Sequence, residues 1–200
     1  MAARPRNAAR TCRLGVLSLT ALSIAAVGTL SFACEAFSSS AAPGPTLPRN
    51  VIVPLTAVSH LFPDITRETS TGRNLTATGD PKATRMVIYG NDAGSKKVTI
   101  TVDQYRRPRN ASSAYQQAVK KSRSVPGFKL IRVANLGQKT FAGTVTIDAE
   151  THIGLGVVGD KLVVGATLAG YDATPDNTAN LVALARMQAV AAKRAVGSQR

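Results

Sequence analysis

His60, His152, Cys12 and Cys34 are the chain's entire supply of imidazole and thiol. His60 precedes Asp64 by one helical turn, and His152 stands two residues beyond Glu150, so each has a carboxylate within reach for acid–base work. A nucleophile needs a base beside it. Ser59 and His60 are adjacent, but neighbours on a helix point about 100° apart and do not make such a pair. There is no G-x-S-x-G. The 11 acidic residues are spread singly, without the D-x-D-x-D-G spacing of a calcium loop. Two histidines and two cysteines also fall short of a protein-only zinc site. The expectation is no catalytic residue, no metal and no cofactor. The enzyme alternative is a secreted hydrolase with a pocket around His60 or His152.

Gly154-Leu155-Gly156-Val157-Val158-Gly159 matches the dinucleotide pattern G-x-G-x-x-G. That pattern works when its glycines end a strand and open a helix that receives the pyrophosphate. Here Leu162-Val163-Val164 follows, which reads as another strand. The glycines read instead as places where a sheet packs closely against a helix. The stronger chemical signal is charge. The chain carries 25 Lys+Arg against 11 Asp+Glu, a net +14. Nine of the basic residues, Arg106, Arg107, Arg109, Lys120, Lys121, Arg123, Lys129, Arg132 and Lys139, fall in one interval that holds no acid. Such a one-sided run attracts anions. With no Trp and no paired aromatics on an exposed strand, a base-stacking platform for nucleic acid does not fit. Lipid headgroups or wall polymers of an envelope do, alongside a protein partner the sequence does not identify.

The first fifty residues carry an address. Arg4, Arg6, Arg10 and Arg13 precede Leu14 to Cys34, 21 residues without a charge. A basic flank before an apolar helix-forming run is the layout of an export signal, and it holds the N-terminus in the cytosol. No Arg-Arg pair precedes the apolar run, which favours the general secretory route. Three fates stay open. Ser31-Phe32-Ala33 offers small residues for cleavage before Cys34. Cys34 resembles the lipidated cysteine of bacterial lipoproteins, although Leu30 stands one place too early for a lipobox. Uncleaved, 21 residues at about 1.5 Å each just span a hydrocarbon core. Residues 35–50, rich in Ser and Pro, read as a flexible tether.

The domain is expected over 51–196. Leu55 to Phe62 reads as a short helix closed by Pro63, and 69–81 as loop. Arg85–Tyr89 and Lys97–Tyr105 read as strands, the second alternating Val98, Ile100 and Val102 against a wet face of Thr99, Thr101 and Asp103. Asn110 is placed as the cap of a helix with Ala111, Ala114, Tyr115, Ala118 and Val119 in one stripe. Strands follow over Phe128–Val133, Gly143–Ile147, Thr151–Val158 and Lys161–Ala169, the last two joined tightly through Gly159-Asp160. Thr178 is placed as the cap of a final helix, with Leu181, Leu184, Ala185, Gln188, Ala189, Ala192 and Val196 on one side. This order predicts an α+β fold, an antiparallel sheet with two or three helices packed on it, preceded by an export signal or anchor helix over 1–34.

The helix Ala111 to Arg123 after a strand, Asn135-Leu136-Gly137-Gln138 before Phe141, the hairpin at Gly159-Asp160 and the alanine-rich helix to Val196 carry a resemblance. With the signal, Cys34 and the tether, they look like the exported lipoproteins of actinobacteria, especially mycobacteria, whose domains have a PsbP-like fold. The resemblance implies a non-catalytic, envelope-located domain that binds a ligand or partner. An uncleaved single-pass membrane protein with the same external domain is the alternative.

Overall fold

The structure, a computed structural model, describes residues 46–75 and 81–198. The export segment, Cys12, Cys34 and most of the stretch read as tether lie outside the described residues. A 3-10 turn, Arg49–Val51, precedes helix α1, Leu55–Leu61. Strands β1, Arg67–Leu75, β2, Ala83–Gly90, and β3, Lys97–Gln104, follow. Helix α2, Pro108–Arg123, leads to β4, Lys129–Ile131, β5, Lys139–Ile147, β6, Glu150–Gly159, and β7, Leu162–Ala169. Helix α3, Pro175–Gly197, ends the described chain. The seven strands form one antiparallel sheet in the order β1-β2-β3-β7-β6-β5-β4, so the fold is α+β.

Alternation along the strands builds two cores on opposite faces. Val98, Ile100 and Val102 of β3, Ile153, Leu155 and Val157 of β6, and Val164, Ala166 and Leu168 of β7 form one face. α3 packs on it through Leu181, Leu184, Ala185, Ala192 and Ala195. On the other face Val158, Val163 and Phe141 meet Tyr105 and the Ala111 and Tyr115 side of α2. These contacts lie on β7, β6 and β5 in turn, so α2 runs across the strands. Phe128 stacks on Phe141 with ring centroids 5.5 Å apart. A Cβ on Gly143 would collide with the Phe128 ring, and the glycine is the condition for that stacking.

The stretch read as loop over 69–81 forms much of β1 instead. An edge strand with two register shifts has no apolar alternation to display, so its polar residues hid it. The second face of β3 is not wet: Thr101 and Asp103 are buried, and Asp103 pairs with Val163 on the face that carries the α2-side core. The helices begin before Asn110 and Thr178, with Pro108 and Pro175 in their first turns, and Thr174 caps α3 by accepting from the Asn177 N–H at 3.2 Å. The hairpin turn is Asp160-Lys161 rather than Gly159-Asp160, since Gly159 pairs with Leu162. Asp160 takes the positive φ, 52°, that a tight turn needs at its first central residue.

The packed unit reaches back to Leu47, 1% exposed, four residues inside the stretch read as tether. Residues 47–53 are extended or 3-10 backbone held among side chains, and their polar groups need partners. Arg85 donates to the Leu47 carbonyl at 2.9 Å, and the Tyr89 hydroxyl to the Val53 carbonyl at 2.6 Å. Gln188 of α3, fully buried, accepts from the Val53 N–H at 3.0 Å and donates to the Val51 carbonyl at 2.5 Å. A Gln188→Leu variant keeps the volume and gains hydrophobicity but strands two buried backbone groups. It should lose about 3 kcal/mol of stability in urea denaturation, at about 1–3 kcal/mol per stranded group. An unchanged midpoint would contradict this account.

Candidate functional site

The histidines occupy opposite sides of the sheet. His60 is exposed on α1, whose Val58 joins the α3-side core. His152 alternates with Ile153 of that core and so points to the α2 side, its Nε2 3.7 Å from Glu150 Oε2. They cannot act on one substrate together. The Ser59 hydroxyl donates to the Ile65 carbonyl at 2.6 Å, which gives it a structural partner. Among the described residues no group of three His, Cys, Asp or Glu could hold a metal ion. Gly154, Gly156 and Gly159 lie along β6 and run through the turn into β7, with no helix to receive a pyrophosphate.

The basic residues fall into two groups. All nine are exposed. Arg106, Arg107 and Arg109 surround the N-terminus of α2, which has no acid in its first turn. Lys120, Lys121 and Arg123 occupy its last turn, where they complement the helix dipole. The helix holds the groups about 20 Å apart, more than twice the Debye length of about 8 Å at physiological ionic strength. They do not act as one centre. At the C-terminal end, Arg123 lies over the Phe141 ring at 5.6 Å, which places α2 beside β5 and its edge neighbour β4. β4 and the residue after it add Lys129 and Arg132, with Leu130 between them 55% exposed. Lys139 opens β5 opposite Val158, close to the β6–β7 turn.

A groove that the sequence did not reveal opens on the other face of the sheet. It lies between the β6–β7 turn and the second half of α3, with a volume of about 1190 Å³. Leu136, Val157, Leu162, Val164, Ala189 and Val190 supply apolar lining, and Lys82, Arg106, Lys161, Arg186 and Lys193 ring it with one acid, Asp160. Only Arg106 belongs to the nine residues singled out by charge density. The others are scattered in sequence and gathered by the fold. The signal that could have found them is on α3, where 186, 189, 190, 193 and 197 make a second stripe beside the buried one.

Among the described residues Asp103 is the one buried acid. It accepts from the Thr84 hydroxyl at 2.6 Å, yet burial, the larger effect, pushes its pKa from 3.8 up to about 6. The unfolded chain releases this proton near pH 4 and the folded one near pH 6, so stability falls as pH rises through that window. The loss is about 3 kcal/mol when complete, at about 1.4 kcal/mol per pKa unit. An Asp103→Asn variant, still able to accept from Thr84, should be more stable than the parent at pH 7. The gap should close by about pH 3.5. Parallel stability–pH curves in urea would refute the burial account.

No family model matches the chain, and no curated protein matches it in sequence. Among solved structures it is similar to the extracellular domain of PknH from Mycobacterium tuberculosis, with a TM-score of 0.50 at 11% identity, over 70% of this chain and 93% of that domain. A GTP binding regulator from Thermotoga maritima aligns with a TM-score of 0.37 at 10% identity, over 70% and 93% of the two chains. LpqN, involved in cell envelope biogenesis of M. tuberculosis, aligns with a TM-score of 0.28 at 17% identity, over 57% and 65%. The likeness to the PknH domain is one of fold.

Proposed function

We propose that this chain is an exported, non-catalytic module of the bacterial cell envelope, held outside the cytoplasmic membrane by its N-terminal segment. It docks there on an anionic surface through the C-terminal end of α2 and the β4 edge. One observation carries the docking: Lys120, Lys121 and Arg123 in the last turn of α2 are exposed on the face of the sheet to which Leu130, itself exposed, belongs through its pairing with Gly143, and none of the three is in an ion pair among the described residues. Cations that approach headgroups while an aliphatic side chain enters the interface make a peripheral membrane contact. The fold, shared with a domain that is extracellular in PknH, supports the external location. The charge-free run behind four arginines supports export. Neither His60 nor His152 lines the groove beside α3, which gives the hydrolase reading no support there.

Location is tested by fractionation. The full chain should travel with the envelope and be open to protease added from outside, whereas a chain lacking residues 1–33 should stay in the cytosol. Protease resistance of the full chain in intact cells would overturn the export reading. Docking is tested with the chain from Thr46 onward and sedimenting vesicles. Replacing Lys120, Lys121 and Arg123 by Gln should weaken binding to anionic vesicles about a hundredfold, from about 1 kcal/mol per basic residue, and the deficit should shrink in high salt. Leu130→Gln should cost about tenfold with little salt dependence, because it removes apolar burial rather than charge. Equal binding to neutral and anionic vesicles at low salt would rule the surface out.

A further inference from the structure

The groove on the α3 side is built from two kinds of surface that serve no evident purpose in the apo fold. Val190 is 44% exposed on the wall of the groove, although the buried stripe of α3 lies elsewhere on the helix. Arg186 and Lys193 flank it on the same stripe, and Lys82, Arg106 and Lys161 face them from the sheet end. None of the five is in an ion pair among the described residues, and Asp160 is the single acid on the rim. Arg186 lies mid-helix, where the helix dipole gives a cation no reason to be. Five cations crowded around one opening repel each other, and an apolar lining left open to water is unfavourable. One occupant relieves both.

The geometry points to a binding site for a single anionic amphiphile, an aliphatic chain ended by a phosphate or carboxylate. The chain lies along Leu136, Leu162, Ala189 and Val190, over a floor of buried Val157 and Val164, and the acidic head meets the ring of lysines and arginines. A free inorganic anion would leave the apolar lining uncovered, and a neutral apolar molecule would leave the cations repelling each other. The volume, about 1190 Å³, is somewhat above the usual range for small-molecule sites, about 300–1,000 Å³, which leaves room for an extended chain. The site does not depend on the docking surface, because the two lie on opposite faces of the sheet and share none of the residues to be changed.

The test uses the full chain in phosphatidylcholine nanodiscs, with empty nanodiscs as blank, and equilibrium dialysis of octyl phosphate. Octyl phosphate should bind saturably, one molecule per chain. Octyltrimethylammonium, with the same tail and the opposite charge, should not bind. Inorganic phosphate should bind at least about tenfold more weakly than octyl phosphate. Arg186→Gln with Lys193→Gln should weaken octyl phosphate at least about tenfold, and Lys82→Gln with Lys161→Gln, on the facing wall, should do the same. The Lys120, Lys121 and Arg123 replacements should leave octyl phosphate binding intact, and the groove variants should leave vesicle docking intact. The inference is overturned if the phosphate and ammonium amphiphiles bind alike, if inorganic phosphate binds as tightly as octyl phosphate, or if both folded groove variants bind like the parent.

Discussion

The Gln188 side chain binds the Val53 N–H and the Val51 carbonyl at once, and the layered arrangement depends on those two bonds. Residues 47–53 are neither strand nor α-helix over most of their length, yet Leu47, Val51, Ile52 and Val53 are all buried. Backbone placed there without partners would cost about 1–3 kcal/mol per group, which no single aliphatic side chain offsets by much. Gln188, Arg85 and Tyr89 meet that demand from two directions, the helix above and the sheet below. The segment therefore acts as packing between α3 and the sheet.

One end of the sheet carries most of the domain's surface chemistry. The strand ends at Gln104, Lys139, Gly159 and Leu162 come together there, with α2 crossing one face and the second half of α3 the other. The two helices give the two faces different characters. α2 is short and packs through Ala111 and Tyr115, so its last turn runs off the sheet beside β4 with its cations in water. α3 is longer and lies close through Ala185 and Ala192, but its final turns stand away from the turn residues and leave the groove.

How much of this was legible follows from which signals are local. The alternation of Val98, Ile100 and Val102 and the spacing of Leu181, Leu184, Ala185 and Gln188 are period signals, and they placed β3 and α3 to within a few residues at each end. β1 carries no such period, because an edge strand with register shifts has no constant buried face. Asn110 and Thr178 have the side chains of helix caps but lie inside helices that begin at Pro108 and Pro175, so capping chemistry alone does not locate the starts. Leu47 gave no cue, because its burial depends on Arg85, 38 positions away. The charge run was visible, but its division into two groups needed the length of α2. The groove was invisible, since Lys82, Arg106, Lys161, Arg186 and Lys193 are neighbours only through the fold.

The bonds between Gln188 and residues 51 and 53 span 137 and 135 positions. The pairing of β3 with β7 likewise waits on strands made late in the chain. A polypeptide delivered N-terminus first, by a ribosome or through a membrane pore, therefore has no complete core until α3 has emerged. Contacts of such long range form slowly, because the loop between them must be closed before they repay its entropy. Premature folding on the near side of a pore would block passage, and a domain sealed by its last helix is protected from that by its own topology.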